Sequence, residues 1–319
     1  MSSLGPKVID CDYTGHQGVA AAYLLREGDE AAFIETNTNL ALPHLLKGLE
    51  EEGLNPEQVR YIILTHIHLD HAGGAGALMQ ACPHATLLVH PRGAPHMIQP
   101  DKLIASATQI YGEEQFAALY GTLLPVPAER VRIMEDGEVL VFGARRLRFF
   151  YTRGHANHHF CIHDDALDAV FAGDNFGITY PALQEYGRFV FPSSPPTDFD
   201  ADAALQSIDK ILAVGAKRVF PTHYGEVREL AETAASLREQ LSLYQAWLEE
   251  AYSAGLAEDA LDAFFVEKVR GEFAQRMTSL GFSLEDERRK LCEIDIMLNA
   301  QGLAFAVKKR RFKEQQANA

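Results

Sequence analysis

Residues 65–74 read Thr-His-Ile-His-Leu-Asp-His-Ala-Gly-Gly, directly after the apolar run Tyr61-Ile62-Ile63-Leu64. Three histidines and an aspartate (His66, His68, Asp70 and His71) fall within six residues. Neutral imidazoles and carboxylates are the side chains that bind zinc and related divalent cations. In an extended segment, residues two apart point to the same side. His66 and His68 can therefore bind one cation together. Asp70 and His71 follow as the chain turns towards Gly73-Gly74, and they aim at a second point nearby. One short loop thus supplies two half-sites. Burying four such polar groups without partners would be costly, which weighs against a purely structural role.

A two-metal site needs more ligands. Three other loops each follow an apolar strand and carry a ligand-type residue: Thr152-Arg153-Gly154-His155, Gly173-Asp174 and Thr222-His223. Loops at strand ends are where such sites are commonly built.

At this point the chain resembles the metallo-β-lactamase superfamily. Thr65–Gly74 has that family's H-x-H-x-D-H signature, and His155, Asp174 and His223 fall in its order and local settings. The resemblance covers roughly residues 15 to 225. It implies an αββα sandwich with two divalent metal ions in a cleft at one edge, zinc first, with iron or manganese as alternatives. By position, His66, His68 and His155 would bind one metal, Asp70, His71 and His223 the second, and Asp174 would bridge. His159 matches a second histidine that many members have, and reads as support for His155 or its loop. His158 reads as extra and exposed. His90 and His96 read as structural, and His16, His44, His84 and His163 have no assigned role. Where many members have an aspartate after the second strand, this chain has Glu35-Thr36-Asn37.

The resemblance points to hydrolysis. Two adjacent cations can hold a hydroxide and polarise a carbonyl or phosphoryl oxygen. The expected substrate is a small molecule with a thioester, ester, lactone or amide carbonyl. Asp70 would orient the nucleophile, and Tyr180 and Tyr224 are candidates for a hydroxyl near the oxyanion. Phe176, Tyr180, Tyr186, Phe189 and Phe191 would either wall an apolar pocket or pack against the C-terminal helices. Competing readings are an iron oxidoreductase on the same fold and a non-enzymatic, metal-bound effector.

The elements that must position these residues read as an α/β pattern. Strands are expected at 19–25, 31–35, 61–64, 86–90, 147–152, 160–163, 169–173 and 218–220. Helices are expected at 42–53, 75–82 and from Asp198 or Asp200 to about Val214. From about 226 the texture becomes long, amphipathic and helical, and Ser283-Leu284-Glu285-Asp286 reads as a capping box. The expected division is a catalytic domain over 1–227 and a helical extension over 228–319, the latter able to brace the fold, line the pocket or form a homodimer contact.

The bulk numbers exclude several classes. A net charge of −15 repels phosphate backbones, so nucleic acid is not an expected partner. The basic cluster at 308–313 suits the end of a last helix. No apolar run approaches the ~18–20 residues a membrane helix needs. The opening residues show no signal peptide, which favours the cytoplasm. Cys11, Cys82, Cys161 and Cys292 are scattered, and read as reduced and mostly buried.

Overall fold

Short apolar runs punctuated by turns build two sheets in the computed structural model, which describes residues 5–283 and 285–317. The first sheet runs in the order β1 (Lys7–Asp10), β2 (Ala21–Glu27), β3 (Glu30–Ile34), β4 (Val59–Ile63), β5 (Thr86–Val89), β6 (Val131–Ile133). A two-residue turn joins β2 to β3, with Gly28 at φ 60°, a conformation open to a residue without Cβ. β3 to β6 pair in parallel, so each step needs a crossover. α1 (Leu42–Glu51) crosses from β3 to β4. α2 (Leu69–Ala72) and α3 (Ala75–Ala81) lead to β5. α4 (Ala94–Ile98), α5 (Asp101–Tyr111) and α6 (Glu113–Tyr120) lead to β6. The second sheet has the order β11 (Arg218–Pro221), β10 (Ala169–Gly173), β9 (Phe160–Asp164), β8 (Arg145–Tyr151), β7 (Val139–Phe142).

Inward-facing residues of both sheets share one core. Tyr23, Ile34, Ile63 and Leu88 come from the first sheet, and Phe149, Ile162, Phe171 and Phe220 from the second. Each such side chain contributes about 1.5–3 kcal/mol on burial. The other face of the first sheet is covered by apolar residues of α1 and α3, among them Leu45, Leu49, Leu78 and Met79. Inside the sandwich, Asp164 is fully buried and accepts from Arg145 at 2.8 Å, and Arg145 also pairs with Glu27 at 2.6 Å. All four cysteines are free and buried.

The chain divides into two compact units. Unit 1 holds residues 1–151, 158–173 and 214–228, which include both sheets. Unit 2 takes 152–157, 174–213 and the chain from 229 onward. It contains α7 (Ala201–Ala213), α8 (Leu230–Ser253), α9 (Glu258–Leu280) and α10 (Glu293–Ala317). α9 stops where Gly281 takes φ 110° and donates back to Met277 and Thr278, a left-handed C-terminal cap. Leu284 of the expected capping box lies outside the described residues. The cap that forms is Asp286, whose carboxylate accepts from Arg288 N at the start of a 3-10 turn, Glu287–Cys292, that leads into α10. Among the described residues, no helix is long and apolar enough to cross a membrane.

Candidate metal centre

β4 ends at Ile63, and the next residues carry the expected ligands. His68 is the N-cap of α2, so Asp70 and His71 lie in its first turn. A second segment, Glu35–Thr38, frames this loop with backbone bonds. Glu35 N donates to Ile63 O at 2.8 Å, Thr36 N to His71 O at 2.9 Å, and Gly74 N to Asn37 O at 2.8 Å. Asn37 Nδ2 adds a bond to Asp70 O at 2.8 Å. The approach is too close for side chains. A Cβ at Gly74 would lie 2.7 Å from Thr38 O and 2.9 Å from Thr36 O.

Within unit 1 the donor atoms converge. Those of Asp70, His71 and His223 all lie within 4.8 Å of one another, as do those of Glu35, His66 and His71. His66 and His71 are fully buried. Hydrogen bonds set the tautomers. His223 Nδ1 lies 2.7 Å from Val19 O, a carbonyl that can only accept, so Nδ1 donates there and Nε2 is the ring nitrogen left for the site. Nε2 faces Asp70 Oδ2 at 3.2 Å. Thr65 donates its single hydroxyl proton to Glu35 Oε1. His66 Nδ1, 3.1 Å from the same hydroxyl oxygen, therefore donates to it. Its Nε2 faces His68 Nδ1 at 3.0 Å.

Glu35 and Asn37 are contributors that the sequence reading registered only as a departure from the family's pattern. Glu35 is 1% exposed, reaches His71 Nδ1 at 3.5 Å, and sits at φ 67°, where a residue with a side chain costs about 1–2 kcal/mol. Asn37, at φ 52°, is a residue type that tolerates this region. His158, expected to be exposed, is half-buried, and its Nδ1 accepts from Ile67 N at 3.4 Å. His159 is fully buried, and its ring stacks on His66 with centroids 5.0 Å apart. Gly173, at φ 51°, makes room for it, since a Cβ there would lie 2.4 Å from His159 Nε2. Tyr224 is half-buried beside the inter-sheet core and hydrogen-bonds Asp10; burial, then Asp10, pushes its hydroxyl pKa up.

Unit 2 brings His155 and Asp174 together. His155 Nδ1 donates to Ser193 O at 3.3 Å, and its Nε2 faces Asp174 Oδ2 at 3.4 Å. Asn157 braces the His155 loop by donating from N and Nδ2 to Asp198, at 2.9 and 2.7 Å. Tyr180 is buried, and its hydroxyl donates to Asp295 at 3.1–3.2 Å. Burial, with Asp295 beside it, pushes the Tyr180 pKa well above the usual value. Phe176, Phe189 and Phe191 are buried too, and the last two pack on Phe273 of α9 with centroids 5.8 and 4.7 Å apart. Tyr186 is half exposed and packs edge-on against Phe282.

The donor set fits divalent cations. Twice, an imidazole whose Nδ1–H is given to a carbonyl turns Nε2 towards a carboxylate oxygen: His223 towards Asp70, and His155 towards Asp174. At that separation a proton or a cation lies between the two atoms, since two bare acceptors would repel. Imidazole and carboxylate together suit zinc, iron or manganese rather than a thiophilic ion.

Comparison with known proteins bears on the same residues. The Metallo-beta-lactamase superfamily profile matches residues 17–223. A metallo-beta-lactamase fold-containing protein of Sulfurisphaera tokodaii, ST1585, is 30% identical over 54% of this chain and 62% of its own length. Its crystal structure superposes with a TM-score of 0.61 at 25% identity, covering 76% of this chain and 86% of that one. The human acyl-coenzyme A thioesterase MBLAC2 is 26% identical over 49% of this chain and 57% of its own length. An atrochrysone carboxyl ACP thioesterase from Aspergillus chevalieri is 25% identical over 52% of this chain and 44% of its own length. The matches thus span roughly half of each curated relative. With its signature loop, its two sheets and a profile match over more than half its length, the chain belongs to the metallo-beta-lactamase superfamily.

Proposed function

We propose that the protein is a metal-dependent hydrolase that attacks the carbonyl of a small acyl thioester. The observation that carries this reading is the pair of imidazole Nε2 atoms, on His223 and His155, turned towards the carboxylates of Asp70 and Asp174. His66, His68 and His155 would hold one metal, Asp70, His71 and His223 the other, and Asp174 would serve both. The metals, zinc by preference, would supply Lewis acidity and a water acidic enough to ionise near neutral pH. Val19 O, Ser193 O and Thr65 fix imidazole tautomers, so the ligands are oriented before any cation arrives. Asp70 would align the attacking water and receive its proton. A cavity of about 390 Å³ in unit 1 adjoins Asn37 and is walled by Tyr13, Leu40, His44 and Leu119. Asp12, Thr14 and Thr38 line it too, so it offers polar groups as well as the apolar faces of Leu40 and Leu119 to a substrate. Two thioesterases among the relatives support the choice of a thioester over a lactone, ester or amide.

The test is metal content of protein purified without added metal, followed by hydrolysis of acyl-coenzyme A against a lactone of matched chain length. About two zinc per chain and preferential thioester cleavage are expected. Iron with a visible absorption band and oxygen consumption would replace this reading with an oxidoreductase. Full activity and full metal content in Asp174→Ala would overturn the ligand assignment.

A further inference from the structure

The carbonyl that takes the Nδ1–H of His155 belongs to the peptide group joining Ser193 and Ser194. The other edge of that peptide group is taken by α10. Ser194 N donates to Asn299 Oδ1 at 2.6 Å. Ser194 Oγ, 2.5 Å from the same oxygen and 3.2 Å from Asn299 O, adds a second tie. Ser194 and Asn299 are 1% and 2% exposed, so water does not compete for these bonds. One turn further along α10, a Cβ at Gly302 would lie 1.8 Å from Ser194 O. Only glycine lets the helix come this near. Lys309 Nζ then reaches Thr197 O at 2.8 Å. The helix therefore grips residues 194–197 at several points along its length.

A peptide group is planar and rigid. Fixing its N–H fixes the direction of its C=O. Donation from Ser194 N–H also polarises the carbonyl, which strengthens it as an acceptor for the imidazole. A better acceptor at Nδ1–H holds the ring in one tautomer and makes Nε2 a better ligand. We infer that Asn299 is a positioning residue for His155, acting through the Ser193–Ser194 peptide group, so that the C-terminal helix sets the ligand strength of that imidazole. The inference rests on the reading of His155 as a metal ligand.

Two measurements test it, on the full chain. The first is zinc affinity by chelator competition, with thermal melting as the check on folding. Asn299→Leu removes the acceptor and should weaken zinc binding about 10-fold or more. Asn299→Asp, whose carboxylate accepts the same bonds, should stay near wild type. Ser194→Ala keeps the peptide N–H and should fall between them. The second is the imidazole Nδ1–H resonance of His155 in metal-free protein. It should be protected from exchange in wild type and Asn299→Asp, and lost in Asn299→Leu. If Asn299→Leu does not fold, Gly302→Ala, which pushes the adjoining Ser194–Pro195 peptide group from the helix and so draws Ser194 N off Asn299, should give the same loss of the resonance. Folded Asn299→Leu or Gly302→Ala protein that keeps the wild-type resonance and zinc affinity would overturn the inference. Wild-type protein that takes no metal would sink the metal reading alone, since the resonance decides the hydrogen-bond link without any cation.

Discussion

The two regions that carry ligand-type side chains lean on side chains to different degrees. Around 65–74 backbone bonds from Glu35, Thr36 and Gly74 to Ile63, His71 and Asn37 lead, and the Thr36 and Asn37 side chains add to them. Around His155 and Asp174 the backbone bonds of Gly154 and Asp174 are joined by more side-chain ties: Asn157 on Asp198, Asn175 on Thr152 O, and Asn299 on Ser194. A backbone frame survives most substitutions and fails where a glycine is required. A side-chain frame can lose a member with any one substitution. The first region thus depends more on fold, the second more on the identity of a few residues.

The largest expected effect treats both regions alike. Asp70→Ala and Asp174→Ala should each lower thioester turnover by about 10²–10⁴-fold, with circular dichroism unchanged. Full turnover in only one of the two would show that a single region carries the chemistry. Next comes the core behind the second region. Phe273→Ala removes a ring on which Phe189 and Phe191 pack, and should cost about 3–5 kcal/mol. Hydrogen exchange should then show greater loss of protection at 174–213 than at 59–74; equal loss would mean the two regions do not differ in support.

A third effect depends on pH. Glu272 is 8% exposed on α9, and burial, reinforced by Glu239, raises its carboxyl pKa from the ordinary 4.5 to about 7 despite the opposing pull of Arg276. The folded state therefore holds this proton more tightly than the unfolded chain. Its stabilising contribution is complete below about pH 4.5 and is lost as pH rises through about 7, on the order of 3 kcal/mol in all. Denaturant melts across that window should show the decline, and Glu272→Gln should flatten it. A wild-type slope that persists in the variant would place the titrating group elsewhere. The smallest effect is in the backbone frame. Asn37→Gly keeps the positive φ but deletes the bond to Asp70 O, and should cost about 1 kcal/mol in thermal melts. A much larger cost would mean that the first region also leans on its side chains.

Much of the first region is legible in the sequence because its ligands are consecutive. Strand ends and glycines in residues 61–74 almost spell out the loop. Glu35 and Asn37 are harder to read, because their closeness to Thr65 and Asp70 arises only when β3 and β4 pair in parallel. His158 looked like a spare histidine, since nothing local reveals that Ile67 N would need its ring nitrogen. The Ser194–Asn299 bond joins residues 105 apart in the chain, beyond the reach of any periodicity. Residues 91–146 carry no clear element signal, because α4, α5 and α6 follow closely on one another and the last two are split by Gly112 at φ 80°. The three long C-terminal helices, by contrast, declare themselves by a stretch from 226 onward with no proline and little glycine.

The chain passes between its two units five times, at 151/152, 157/158, 173/174, 213/214 and 228/229. Neither unit is a contiguous stretch of gene. A crossover between homologous genes placed near codon 228 would look like a clean exchange of the helical extension. It would in fact pair one parent's Phe189, Phe191 and Ser194 with the other parent's Phe273 and Asn299. Viable chimaeras should therefore be those in which residues 174–213 and the C-terminal helices are inherited from the same parent.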